Sequence, residues 1–248
     1  MTEEIFRRSE EMDALRSRLR ARRSFLMHGP AGVGKTLLLK HIVPEFDEML
    51  YCGEGSTAQA VLRQLAELLL VRRNPVLVHS CKAGGTEALK NKSAISLKGI
   101  VADALRENRH MIVLDHLKRP SASFAAIVRE LMISCSTPIV AVARSEHMED
   151  AGFVMPLLPD RSEKLAIRNF DNETGMQFAQ MAAARYELIA DNLHEVLSRF
   201  VSYSEGNPGA MLRMIQMATQ PKYRFDNQIK LSLVYIDFKM RLAGAEAR

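Results

Sequence analysis

Residues Gly29-Pro30-Ala31-Gly32-Val33-Gly34-Lys35-Thr36 fit the spacing G-x-x-x-x-G-K-[ST] at every fixed position. At that spacing the glycines let the backbone turn so that successive N–H groups point inward at a polyphosphate, and a helix starting near Lys35 adds the positive end of its dipole. Lys35 would reach the β- and γ-phosphates as a mobile ammonium. The Thr36 hydroxyl would hold a magnesium ion that bridges them. Gly29, Pro30, Ala31, Gly32, Val33, Gly34, Lys35 and Thr36 are therefore the candidate cradle for ATP and magnesium (Mg2+). Their flanks agree: apolar Phe25-Leu26-Met27 leads in as a strand, and Leu37-Leu38-Leu39-Lys40 leads out as a helix.

A second carboxylate-bearing site lies at Asp115. Met111-Ile112-Val113-Leu114-Asp115 is a short apolar run ending in an acid. A parallel strand buried on both faces must be apolar throughout, and Asp115 would emerge at its carboxyl end beside the phosphate loop, to hold the magnesium through water. His116 follows directly. It can act as a base near neutral pH if its surroundings keep the ring neutral, or it can serve only in packing and hydrogen bonding. Arg144 closes the apolar run Pro138-Ile139-Val140-Ala141-Val142-Ala143 and would leave a neighbouring buried strand with its planar fork near phosphate oxygens. Lys35, Asp115, His116 and Arg144 are the candidate catalytic residues, and Thr36 and Asp115 the candidate metal ligands.

Elements able to position these groups recur along the chain. Met12, Leu15 and Leu19 keep helical spacing after Ser9, which can cap that helix, with Glu10 and Glu11 in its first turn. Strands are expected near 24–28, 48–52, 111–115, 138–143 and 164–167, and helices after the phosphate loop, then near 57–71, 96–107 and 122–134. Pro44 ends the first of these helices. The alternation predicts an α/β core, a parallel sheet with helices on both faces. From Asp171, a suitable N-cap, only helical patterns follow, near 172–186, 190–202, 208–218 and 227–241. The expected organisation is an ATP-binding core over residues 1–170 and a small all-helical lid over 171–248.

Bulk properties exclude several classes. With 248 residues, 47% of them apolar and 25% charged, the chain can bury a substantial core. No apolar stretch nears the ~18 residues of a membrane span, and the charged start lacks the apolar centre of a secretion signal, so a cytoplasmic protein without a membrane partner is expected. Cys52, Cys81 and Cys135 are far apart, odd in number and without C-x-x-C or histidine pairing, which argues for buried thiols rather than a disulfide frame or a zinc site.

Together with the phosphate loop, three further strings resemble the AAA+ initiator-type ATPases and the related STAND signalling ATPases. Ile5-Phe6-Arg7-Arg8-Ser9-Glu10-Glu11-Met12-Asp13-Ala14-Leu15 is similar to the element that precedes the phosphate loop in those families. The resemblance implies that Ile5 and Phe6 lie against the adenine and that Arg8 is the family's arginine; Arg7 stands where the family usually has glycine. Arg144 falls where the family carries a polar sensor of the γ-phosphate, typically arginine in the STAND branch. Gly206-Asn207-Pro208 looks like the G-x-P motif whose proline contacts the adenine, and Arg213, one helical turn on, matches the second sensor of AAA+ proteins. Backbone geometry also accounts for that string, since Gly206-Asn207 suits a turn and Pro208 the first turn of a helix. In the additional-strand class of P-loop ATPases an acidic residue commonly follows the magnesium aspartate and polarises the attacking water. His116 in that place implies slow turnover, which suits a nucleotide-dependent switch.

Charge offers a clue to the partner. Arg72, Arg73, Lys82, Lys90, Lys92 and Lys98 face a single acid, Glu87, so the segment's excess of five equals that of the whole chain, with its 34 basic and 29 acidic residues. Lys82, Lys90 and Lys92 fall in what reads as an exposed mobile loop, able to neutralise DNA or RNA phosphates without reading bases. STAND proteins usually continue into a winged helix and repeats where this chain stops at Arg248, so output is expected through self-assembly or a separate protein partner. Three functions fit: an assembling ATPase switch in a DNA-linked process, a STAND-like signalling NTPase with a protein partner and no nucleic acid, and a small-molecule kinase. The string at 206–213 argues against the last.

Overall fold

The computed structural model describes residues 5–53, 57–81, 85–107 and 109–246. One compact unit, Arg8–Gly29 with Lys35–Ile167, contains in chain order α1 (Ser9–Arg20), β1 (Phe25–His28), α2 (Lys35–Ile42), β2 (Met49–Cys52), α3 (Ala58–Val71), α4 (Pro75–Cys81), α5 (Glu87–Lys90), α6 (Ala94–Glu107), β3 (Met111–Leu114), α7 (Ala122–Ser134), β4 (Ile139–Ala143), α8 (Met148–Ala151) and β5 (Lys164–Ala166). The five strands pair in parallel in the order β2-β3-β4-β1-β5, with Met27 opposite Val142 and Ile112 opposite Ile139. β4 therefore lies between β1, which leads into the phosphate loop, and β3, which leads to Asp115. Every residue of β3 and β4 is buried. A strand without alternation is covered on both faces, and each Val, Ile or Leu so buried contributes about 1.5–3 kcal/mol. Leu62, Leu65 and Leu69 of α3 and Leu97, Val101 and Leu105 of α6 join the same core. Because the strands are parallel, their carboxyl ends share one edge, and that edge collects Gly29, Asp115 and Arg144.

Two expectations change in this unit. Ser9 is the first residue of α1 rather than its cap: Arg8 takes the N-cap position, and no side chain caps the helix. The segment expected to be a mobile loop is folded over its described part. Leu89 in α5 is fully buried, and α4 before it buries Leu77 and Cys81. Both helices are shorter than the window over which helical periodicity registers, which is why neither is visible in the sequence. Lys82 lies outside the described residues. The three cysteines are free and buried, and burial pushes the Cys52 thiol up to about 12. Among the described residues no helix is long and apolar enough to cross a membrane.

The other unit, Met1–Arg7 and Pro30–Gly34 with Arg168–Arg248, is built on α9 (Asn172–Arg185), α10 (Leu193–Tyr203), α11 (Pro208–Ala218), β6 (Arg224–Phe225), β7 (Gln228–Ile229) and α12 (Leu231–Glu246). Phe200, Met211, Met214, Ile215, Tyr223 and Phe238 are among its buried core residues. Asp171 caps α9, its carboxylate accepting the Thr174 N–H at 2.7 Å. Asn207 caps α11, with Pro208 in the first turn. The unit is not all-helical. β6 and β7 form an antiparallel hairpin where the last helix was expected to begin, turning at Asp226 with φ 52. A ladder two residues long is too short to show alternation in sequence.

Candidate functional site

β1 ends at His28, and the chain passes through Gly29 and the loop into α2, whose first residue is Lys35. The Lys35 ammonium donates to the Gly29 carbonyl at 2.6 Å. Burial pushes its pKa down, Asp115 opposes that shift, and Arg144 adds to it. Lys35, Asp115 and Arg144 thus share one electrostatic neighbourhood, with Arg144 exposed just beyond the end of β4. Within the loop, Gly34 has φ 106, and a Cβ there would enter open space, as a cradle for an external group requires.

Asp115 is 1% exposed. Its backbone N–H donates to Cys52 of β2 at 2.9 Å, and two residues on, Leu117 donates to Val142 of β4 at 3.0 Å. Between these ladders His116 takes a left-handed conformation, φ 57, which histidine tolerates better than most side chains. Three donors converge on the carboxylate. The Thr36 hydroxyl donates to Oδ2 at 2.8 Å, the Tyr51 hydroxyl to the same oxygen at 2.7 Å, and the His116 N–H to Oδ1 at 2.7 Å. The His116 Nε2 stands 3.4 Å from Thr36 Oγ1 and 3.5 Å from Asp115 Oδ2, on a side chain that is 58% exposed. Its ring is therefore beside the site rather than packed in the core.

Thr36 and Asp115 suit magnesium, a hard cation that takes oxygen ligands and is commonly held by one or two protein oxygens together with phosphates. Among the described residues no group of three or more His, Cys, Asp or Glu forms a separate metal cage. Tyr51 is not among the expected site residues. Its only signal in sequence is a phenol in an otherwise apolar strand, where the hydroxyl needs a buried partner. Burial raises the Tyr51 pKa, and the bond to Asp115 raises it further, so the phenol remains the donor.

No family model and no curated protein matches the chain. Solved structures do. A Walker-type ATPase of Pyrococcus abyssi aligns with 99% of this chain and 75% of its own, at 15% identity and a TM-score of 0.64. Cdc6p from Pyrobaculum aerophilum aligns at 11% identity and 0.58, and the Aeropyrum pernix Orc1 protein, solved in complex with DNA, at 14% and 0.59. This chain spans 65% and 66% of the length of those two. The chain therefore shares the fold of these P-loop ATPases.

Phe6 is half-buried and meets Phe170 and Phe178 edge-on, with centroids 6.0 and 5.7 Å away. Arg7 has φ 46, a left-handed geometry that glycine adopts without strain and arginine does not. Arg8 is buried and ion-paired with Glu11. Pro208 begins α11, and Arg213 is exposed farther along it. Arg213 lines a groove of about 300 Å³ with Gln216, Gln220 and Phe238 among others, none of them from the phosphate loop.

Proposed function

We propose that the protein binds and hydrolyses ATP with magnesium, and that it works as a nucleotide-dependent, assembling switch in a DNA-linked process in the cytoplasm. The observation that carries this reading is the pairing of Thr36 with buried Asp115 at 2.8 Å, beside a Lys35 ammonium held at the mouth of the loop. Lys35 would bind the β- and γ-phosphates and Arg144 would sense the γ-phosphate. When bound, magnesium would offset the charge that gathers on the phosphate oxygens. Arg8, Pro208 and Arg213 are the proposed further nucleotide contacts, with residues 1–170 as core and 171–248 as lid.

His116 takes the place of the acid that orients water in related ATPases. If its ring does no proton work, His116→Glu is expected to raise phosphate release several-fold, at a stability cost of roughly 1 kcal/mol for a glutamate held at positive φ. If the ring is the base, His116→Ala is expected to abolish hydrolysis and the glutamate not to help. Steady-state rates of the two variants decide between these roles.

The DNA-linked part draws support from the fold shared with an Orc1 protein solved on DNA, and from Lys82, Lys90 and Lys92 in the basic segment. One observation favours the alternative, a signalling NTPase with a protein partner. Much of the segment's charge is used internally: Lys90 pairs with Glu87 at 2.6 Å, Lys98 with Glu130 at 2.9 Å, and Arg72 donates to the Asp47 and Met49 carbonyls. Phosphate release measured with and without duplex DNA tests the proposal. Stimulation is expected, along with binding to unrelated duplexes whose log-affinity against log-salt slope becomes shallower by up to about three units when Lys82, Lys90 and Lys92 are all changed to Ala. Indifference to DNA, with no binding at low salt, would give the signalling reading the lead.

A further inference from the structure

The tip of the phosphate loop is gripped by the start of α11. Asn207 is only 8% exposed, and its side chain is fully engaged. Its oxygen accepts the Ala210 N–H at 3.0 Å, which caps the helix. Its amide nitrogen donates to the Ala31 carbonyl at 2.9 Å and to Asn169 Oδ1 at 3.1 Å. Two residues on, the Gly209 N–H donates to the Gly32 carbonyl at 3.0 Å.

Gly209 follows Pro208 at the start of α11, without a positive φ, in a place where alanine would be the better helix former. The obstacle to a side chain is the loop itself. A Cβ on Gly209 would lie 2.8 Å from the Gly32 carbonyl oxygen and 2.9 Å from its Cα, and a Cβ on Gly32 would lie 2.8 Å from Asn207 Oδ1. Nor can the gripping segment retreat. The Gly206 carbonyl accepts the Phe170 N–H at 3.0 Å, and a Cβ on Gly206 would come within 2.0 Å of the Phe170 carbonyl oxygen. The stretch 206–209 is thus fixed at one end and in contact with the loop at the other.

A loop that receives a polyphosphate must turn its N–H groups toward the ligand and keep its carbonyls away from it, because the carbonyl oxygens repel anionic phosphate. We propose that Asn207 and Gly209 are positioning residues for the phosphate loop: by engaging the Ala31 and Gly32 carbonyls they hold the loop in its phosphate-receiving form, so that this grip sets nucleotide affinity. The affinity part rests on the ATP-binding reading above; the grip itself does not. Restraining a loop in its bound form lowers the ordering cost that binding would otherwise incur. By linkage, a nucleotide in the loop should in turn strengthen the grip and slow hydrogen exchange at Gly209.

Asn207→Ser and Gly209→Ala test this in the full chain. Serine keeps a helix-capping oxygen but cannot supply the amide donor, and alanine favours the helix while intruding on Gly32. Without nucleotide, amide exchange in the peptide spanning 29–36 is expected to accelerate in both variants, with peptides of α9 and α10 unchanged. ATP affinity by calorimetry is expected to fall about tenfold. Unchanged exchange in 29–36 would overturn the grip whatever the protein binds. Faster exchange with ATP affinity within twofold of wild type would overturn the positioning role. A wild type that binds no ATP would show instead that the nucleotide reading has failed, and the affinity claim with it.

Discussion

Changing Lys35 to Ala is expected to weaken ATP binding by at least about a hundredfold while the protein stays folded. The ammonium already rests at the mouth of the loop, on the Gly29 carbonyl, where burial pushes its pKa down and Asp115 only partly offsets that cost. A polyphosphate entering the loop would add negative charge beside the ammonium, and losing a desolvated charge-assisted contact of this kind costs several kcal/mol. Without nucleotide the substitution removes a group whose charged form is disfavoured there, so the thermal midpoint should hold or rise slightly. Calorimetry and a melting curve on the same preparation check both halves. Equal ATP affinity in the variant would remove Lys35 from the site.

Asp115→Asn is expected to reduce phosphate release by roughly a thousandfold and to abolish its magnesium dependence, with nucleotide binding reduced far less. It should also destabilise the fold by about 1–3 kcal/mol. Thr36, Tyr51 and the His116 N–H all donate to the carboxylate. An asparagine offers one acceptor oxygen and an NH₂ that accepts nothing, so at least one of those donors must find another partner or go unpaired. Rates normalised to folded protein, compared over a magnesium titration, separate the two effects. Unchanged release would place the magnesium carboxylate elsewhere.

How far these groups could be read from sequence depended on how local their signals are. The phosphate loop is contiguous, and its flanking strand and helix announce themselves by apolar runs. Asp115 was legible because a strand covered on both faces has no polar residue to hide among, so the acid at its end stands out. Strand order was legible only in part: the strand ending at Arg144 was expected beside the one carrying Asp115, and they do pair. That β4 lies between β1 and β3 depends on non-local pairing, and no spacing within one run encodes it. Tyr51 escaped for the same reason, since its role comes from Asp115, 64 residues away. The grip of Asn207 on Ala31 spans 176 residues. In sequence, Asn207 reads as part of a turn with Gly206, and Gly209 has no signal of its own; only the approach of the loop tip reveals their contacts with Ala31 and Gly32. The short helices α4 and α5 and the β6–β7 hairpin were missed because each falls below the length at which periodicity becomes visible.

The central claim is that this chain holds a nucleoside triphosphate through its phosphate loop with the help of Thr36 and Asp115. Titrating ATP into the wild-type protein by calorimetry, with magnesium and then with chelator, tests it most directly. The account predicts one site per chain, with a dissociation constant on the order of micromolar to tens of micromolar, markedly weaker once magnesium is removed. No heat of binding at millimolar ATP with magnesium present, from protein shown to be folded, would contradict it.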